Sequence, residues 1–450
     1  MADRTLIKDL SGKAGEAVCI QGSVEVRRDQ GKLVFFDFRD RSGTVQGVVL
    51  PGSAAMDAAK EVRNEYIVTV EGNVNKRPEK NVVEGKVNGD IELEVTSIEV
   101  LARAEELPFD KEADDLTIET RFDYRPYTLR SERDRDIFQV QATILRAFRD
   151  SLAAHDFVEF QAPALVGGDA EGGAAVFEIP DYYGKRAYLA TSGQLYKQIM
   201  VGPFERVMTI AKTFRAEKSA TTRHLSEITQ LEFEMGFVED HKEVMAMLEA
   251  VVRDISTAVA QKHADALARF GVTPALLPER PFPVFTLLEA QNIIEAEFGG
   301  TAVGEPDLEP EHERQICEYA KRELGSDFVF ITHFPTTKRA FYTMADPVDP
   351  ERSLSFDLLF RGLEINSGAQ RIHDHEALVA KMESKGMDPA KFAFYLQAFK
   401  YGLPPHGGCS TGLERITARM LELANVKEAS SFPRDMNRID TLLSKNETDA

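Results

Sequence analysis

The chain has 450 residues, 43% of them hydrophobic and 28% charged, which excludes a disordered or fibrous chain and leaves room for two or three globular domains. No run approaches the roughly 18 apolar residues of a membrane span, and the N-terminus lacks a signal-peptide core, so no membrane association is expected. The net charge of −20 argues against a nonspecific nucleic-acid binder; a local basic patch would still serve a specific one, with steep salt dependence. Cys19, Cys317 and Cys409 have neither metal-ligand spacing nor the pattern of a disulfide framework, which points to the cytoplasm.

Residues 1–101 read as a small β domain, with strand-like runs at 17–27, 33–39, 45–50, 67–75 and 91–101. A helical stretch at 53–62 lies between the third and fourth runs. Five strands with a helix in that place predict an OB-fold, whose sheet face and loops bind single-stranded nucleic acid. Phe35, Asp37 and Arg39 alternate with Phe36 and Phe38, so Phe35 is expected on the polar face, where a ring can stack on a base.

Residues 102–130 form a polar, acidic connector, and 131–450 read as one large α+β domain. Ile137, Val140, Ile144, Phe148 and Leu152 make an apolar helical stripe that Ser131 can cap. Residues 157–163 follow as a strand ending in Pro163. Residues 240–270 predict one long helix, with Val244, Leu248, Val251, Ile255 and Val259 on one face. The acidic, proline-containing stretch 305–314 is expected to be an exposed loop, 381–385 a solvated helix end, and 442–450 a disordered tail.

Two stretches carry the chemistry. In 212–236, Phe214-Arg215-Ala216-Glu217 precedes Arg223-His224-Leu225 and a strand-like Gln230-Leu231-Glu232-Phe233-Glu234. Arg and Glu two apart on a strand share one face, so Arg215 and Glu217 can meet a single ligand. In 406–415, His406-Gly407-Gly408-Cys409-Ser410-Thr411-Gly412-Leu413-Glu414-Arg415, a glycine-rich strand end lets backbone approach a nucleotide. A helix starting near Leu413 would present Arg415 in its first turn.

These stretches resemble motifs 2 and 3 of the class II aminoacyl-tRNA synthetases, and 137–163 resembles motif 1, the dimer interface of that class. The resemblance implies that Arg215 binds a phosphate, that Glu217 accepts from the adenine amino group, and that Arg223, His224, Leu225, Glu364, Gly412 and Arg415 complete an ATP site. Arg215 and Arg415 would be the catalytic pair. An OB domain ahead of the core points to the aspartyl, asparaginyl and lysyl subgroup. Arg28, Phe35 and Gln46 then fall at anticodon-binding positions.

Within the subgroup, Gln194-Leu195-Tyr196-Lys197 and Ser367-Gly368-Ala369-Gln370-Arg371-Ile372-His373-Asp374 resemble the aspartyl branch. There Glu171, Gln194, Lys197, Arg215, Ser367 and Arg371 would bind aspartate, with Lys197 and Arg371 on its side-chain carboxylate. Two positive charges against one would leave asparagine disfavoured by several kcal/mol. Glu364 and Ser367 match positions that hold Mg²⁺, a cation suited to oxygen ligands, with Asp357 a further acidic partner. Two residues depart from the usual pattern: Ile228 follows Glu227 where many members have phenylalanine, which favours the archaeal-type branch, and Glu232 stands where aspartyl enzymes usually have aspartate.

The expectation is therefore α+β architecture, an N-terminal OB barrel followed by a class II catalytic domain with an antiparallel sheet flanked by helices. The implied activity is ATP-dependent joining of L-aspartate to tRNA-Asp by a homodimer, with charging of tRNA-Asn left open. The alternatives are an asparaginyl enzyme or a noncatalytic tRNA-binding relative.

Overall fold

The computed structural model describes residues 3–85, 87–168, 175–218 and 221–439. The chain divides into two compact units, Met1–Asp110 and Lys111–Ala450. Among the described residues no helix is long and apolar enough to cross a membrane.

In the first unit, β1 (Ala17–Asp29), β2 (Val34–Asp40), β3 (Gly43–Val49), β4 (Ile67–Lys76) and β5 (Ile91–Ala102) close a barrel in the order β1-β2-β3-β5-β4. Alternation makes the barrel: Val34, Phe36 and Phe38 enter its core, while Phe35, Asp37 and Arg39 face outward, half-buried. The helix expected over 53–62 is confined to Met56–Glu61. Ser53 ends the strand-to-helix turn by accepting a hydrogen bond from Ala55 N at 3.2 Å, and Val62 is already extended.

The second unit contributes β6 (Val158–Glu159), β7 (Leu165–Val166), β8 (Glu178–Tyr182), β9 (Lys185–Leu189), β10 (Arg206–Phe214), β11 (Glu227–Gly236), β12 (Val284–Thr286), β13 (Phe328–Thr332), β14 (Ser355–Phe360), β15 (Leu363–Gln370) and β16 (His406–Gly412). β7, β9 and β8 form a small sheet. The main sheet runs β12-β13-β14-β15-β16-β11-β10-β6. Its interior is antiparallel as expected, but both edge pairs, β12 with β13 and β10 with β6, are parallel. Long connections containing helices, rather than hairpins, join those pairs, which parallel pairing requires. The strand expected over 157–163 shrinks to Val158–Glu159, because only Val207 and Met208 of β10 pair with it. Pro163 has no N–H with which to extend the ladder.

One face of the sheet packs on the helices Glu132–Ala153, His241–Lys262 and Leu413–Met420. Ser131 caps the first through Asp134 N at 3.1 Å, and its five predicted stripe residues are all buried. The helix expected to run to residue 270 breaks at His263, whose φ of −130° leaves helical geometry, and a short helix Ala264–Arg269 follows. A 2.7 Å contact between Thr143 Oγ1 and His263 Nε2 holds that corner, so Leu267 turns back into the core.

The opposite face is covered at its β12–β14 end by the helices Leu287–Phe298 and Pro310–Leu324. Residues 310–314 are thus not loop. Pro310 sits at the start of the helix, where its missing N–H costs nothing, and Glu313, Ile316, Cys317 and Ala320 form the inward stripe. These two helices leave the middle of this face uncovered.

Within residues 102–130, Ile118–Asp123 and Arg125–Thr128 are helical. Buried Arg125 meets Asp134 at 3.2 Å and donates to Ser431 O at 2.7 Å. The segment after the last long helix also reaches the β10–β11 loop: Val426 N donates to Thr222 O at 3.0 Å, and Ser226 N donates to Arg434 O at 2.8 Å.

Candidate active site

A cavity of about 340 Å³ opens on the uncovered middle of the sheet, a size suited to a small organic ligand. Five arginines and one lysine line it against three glutamates, a balance that favours an anion. Arg215, Glu217, Arg223, His224, Leu225, Gln194, Glu364, Ser367, Arg371, Gly412 and Arg415, all predicted site residues, share this lining. They come from four separated stretches that the strand order brings together. Lys197 and Asp357 lie behind the wall, and Glu171 falls outside the described residues.

Arg215 and Glu217 do not share a strand face as expected. β10 ends at Phe214, and beyond the Arg215 N to Ser226 O bond of 2.9 Å the chain leaves the hairpin, with Ala216 N donating to Ala175 O at 2.8 Å. Both residues still reach the cavity, and the buried Arg215 Nε has no hydrogen-bond partner. His224 Nδ1 lies 2.6 Å from Thr221 Oγ1, and burial pulls its imidazole pKa below the ordinary value. Arg415, in the first turn of Leu413–Met420, donates to Glu364 O at 2.9 Å and meets Glu364 Oε2 at 3.2 Å.

Beneath the cavity lies a buried charge cluster. Glu232 and Glu234, two apart on β11, point to the same side. Lys197 Nζ lies 3.2 Å from Glu232 Oε2 and 3.5 Å from Glu234 Oε2, and donates to Cys409 O at 2.9 Å. Arg371 donates to Glu234 through Nε at 2.8 Å and Nη2 at 3.3 Å, and through Nη2 to Gly408 O at 2.8 Å and Gln194 Oε1 at 3.2 Å. Burial opposes ionisation of Glu234, but Arg371 and Lys197 together hold its carboxyl below the usual range. The expectation of two cations awaiting a single carboxylate is therefore corrected: two glutamates already balance them. Gly408 permits this packing, since a Cβ there would lie 2.2 Å from Glu234 Oε2.

Asp357, on β14 opposite Ser367 of β15, is bound by Arg339 Nη2 at 2.8 Å, and Arg339 Nη1 reaches Ser367 Oγ at 3.3 Å. Burial pushes the Asp357 carboxyl up to about 6, with Glu364 adding to the rise and Arg339 opposing it. Asp357 Oδ1 is buried without a hydrogen-bond partner. An orphaned carboxylate oxygen beside a second carboxylate suits a cation. Among the described residues no group of three or more His, Cys, Asp or Glu encloses one, so ligand oxygens or water would have to complete the shell.

Sequence reasoning missed Glu234, Glu313, Arg339 and Glu414. Glu414 is buried and holds Thr229 N at 3.1 and 3.0 Å through its two oxygens. Only the Glu232–Glu234 alternation offered a signal.

On the barrel, Arg28 and Phe35 are paired across β1 and β2, and Gln46 of β3 pairs with Asp37. Arg28 forms a bidentate ion pair with Asp37 at 2.9 and 3.0 Å. The three predicted contacts thus occupy one outward patch, beside which Arg39 pairs with Glu25.

Residues 18–101 match the OB-fold nucleic acid binding domain, and residues 117–436 match the family described as tRNA synthetases class II (D, K and N). The chain belongs to the class II tRNA synthetases. Such synthetases join an amino acid to tRNA with ATP as a substrate. This synthetase is 42% identical over 439 residues to the aspartate–tRNA(Asp/Asn) ligase of Thermus thermophilus, covering 97% of this chain and 99% of that one. It is 36% identical to the aspartate–tRNA(Asp) ligase of Thermoplasma acidophilum, covering 94% and 96%. Among solved structures, the asparaginyl-tRNA synthetase of Pyrococcus horikoshii with asparaginyl-adenylate is similar at a TM-score of 0.89 and 31% identity, covering 98% and 100%. The aspartyl-tRNA synthetase of Entamoeba histolytica is similar at 0.86 and 32%, covering 97% and 93%.

Proposed function

We infer that this synthetase is an aspartate–tRNA ligase, converting L-aspartate and ATP to aspartyl-adenylate and pyrophosphate, then transferring aspartate to the 3′ end of tRNA-Asp. The observation that carries the reading is the single cavity shared by Arg215, Glu217, His224, Glu364, Arg371 and Arg415. The identities to aspartate ligases over nearly the whole chain support the choice of amino acid.

In this reading the aspartate α-carboxylate attacks the α-phosphorus of ATP, and pyrophosphate leaves. Arg215 stabilises charge developing on the α-phosphate, Glu217 accepts from the adenine amino group, and Arg223, His224 and Arg415 hold the departing phosphates. The terminal ribose hydroxyl of tRNA then attacks the aspartyl carbonyl and AMP leaves. Positioning and electrostatics supply the rate. Arg371, fixed from behind by Glu234 and Gly408 O, turns its guanidinium to the substrate carboxylate. An asparagine amide would set N–H donors against those same donors. Glu364, with Asp357 and Ser367, would hold Mg²⁺, which when bound neutralises phosphate charge.

Charging of tRNA-Asn as well as tRNA-Asp is supported by the names of four relatives at 39–42% identity, all aspartate–tRNA(Asp/Asn) ligases. A homodimer is supported by the exposed edge strand Val158–Glu159, and a cytoplasmic setting by three unpaired, buried cysteines. Aminoacylation with radiolabelled aspartate or asparagine on transcripts of tRNA-Asp and tRNA-Asn tests the reading. Aspartate on both tRNAs is expected. Aspartate on tRNA-Asp alone refutes the wider tRNA range, and asparagine transfer refutes the amino acid.

A further inference from the structure

The acidic stretch that composition marks as solvated surface delivers one carboxylate inward. Glu313, in the first turn of Pro310–Leu324, is 8% exposed. Its Oε2 accepts from Arg223 Nη2 and from the backbone N of Glu364 at 3.0 Å. One oxygen therefore ties the β10–β11 loop to the start of β15, two segments that both line the cavity. Glu313 itself is not in the lining, so it does not compete for what enters.

We propose that Glu313 is a positioning residue for ATP: it sets the Arg223 guanidinium and the Glu364 backbone at the phosphate end of the cavity. The inference rests on the reading above, in which Arg223 and Glu364 meet ATP. A charge-assisted bond from a buried carboxylate fixes a guanidinium more firmly than solvent does. The loop backbone is anchored beside Arg223, where Thr222 O accepts from Val426 N at 3.0 Å, but it is Glu313 that holds the Arg223 guanidinium itself. The amino-acid end is built from β11, β16 and Arg371, which Glu313 does not touch, so its loss should separate the two substrates.

The test is ATP–pyrophosphate exchange with the full chain and Glu313→Gln, Arg223→Ala and the double variant. Glu313→Gln keeps an oxygen for Glu364 N but removes the charge on Arg223. It is expected to raise the KM for ATP about tenfold and leave the KM for aspartate within about twofold. The double variant is expected to be no worse than Arg223→Ala alone, as coupled residues require. Glu313→Asp, which keeps the charge but shortens its reach, should show a smaller shift in the same direction, and Glu311→Gln, an exposed neighbour paired with Arg314, none. A normal KM for ATP in Arg223→Ala refutes the ATP role of Arg223 and this inference with it. A raised value there with an unchanged one in Glu313→Gln overturns the role of Glu313 alone, as do equal shifts for both substrates or additive losses in the double variant.

Discussion

Arg371 and Glu234 form a buried pair joined by two hydrogen bonds, and Lys197 closes on the same carboxylate from 3.5 Å. Removing one member of such a set strands a charge in a dry site, at about 3–5 kcal/mol. Glu234→Ala is expected to lose roughly that much unfolding free energy in urea denaturation. A loss under about 1 kcal/mol would mean that the cluster is wetter than its burial indicates.

The buried Arg215 Nε has no hydrogen-bond partner in the protein, so truncating the side chain breaks no bond there. Arg215→Ala is expected to abolish ATP–pyrophosphate exchange while leaving the midpoint of thermal unfolding within a few degrees of the parent chain, about the scale of 1 kcal/mol. Near-normal exchange would dismiss its place in the reaction.

In the proposed reading Lys197 lies behind the end of the cavity that takes aspartate, away from the nucleotide. Lys197→Ala should raise the KM for aspartate by at least about tenfold and change that for ATP much less. Because Glu232 would then lose its cation and Glu234 would keep Arg371 alone, the same variant should also unfold at lower urea concentration. An unchanged aspartate KM would show that Lys197 and the charges behind the wall do not shape aspartate binding.

His241, at the start of His241–Lys262, is pushed by burial down to about 4, against the pull of Asp240, with His333 and Lys242 adding to the fall. The unfolded chain takes up this proton near pH 6.5, the folded one only near 4. The stabilisation from a neutral ring is therefore complete above about pH 6.5 and is lost as pH falls to about 4, amounting to roughly 3 kcal/mol. His241→Leu cannot be protonated, so its stability relative to the parent should improve by about that amount between pH 7 and pH 4. A gap that stays constant with pH would show that the ring titrates normally.

Phe35 faces outward beside Arg28 and Gln46. Phe35→Ala is expected to weaken tRNA binding by about 1–3 kcal/mol in a filter-binding titration and to leave ATP–pyrophosphate exchange intact. Loss of exchange would point to misfolding instead of lost stacking.

The barrel strands could be read from sequence because alternation over seven or more residues, as in β2, reports burial locally. The helix at Leu413 and the hairpin holding Arg215 and His224 were equally accessible, since spacing within one stretch defines them. What could not be read depends on distant partners. Arg371 is separated from Glu234 by 137 residues and Arg223 from Glu313 by 90, and no local pattern announces such pairs. Residues 157–160 have strand chemistry, yet only Val158 and Glu159 join the ladder, although their neighbour β10 runs on as strand to Phe214. The break at His263 likewise answers to Thr143 on another helix, not to any breaker residue of its own.

The anchoring of the β10–β11 loop has a consequence for a chain that is made from one end. Thr222 O and Ser226 N are held by Val426 and Arg434, residues that leave the ribosome only after nearly all of the catalytic unit. The barrel can fold early, as domains do during synthesis, so a growing chain would present a folded RNA-facing surface well before it could hold a nucleotide. Competence for the first chemical step then coincides with completion of the domain, and translation cut short before Arg434 would release a molecule able to occupy tRNA without charging it.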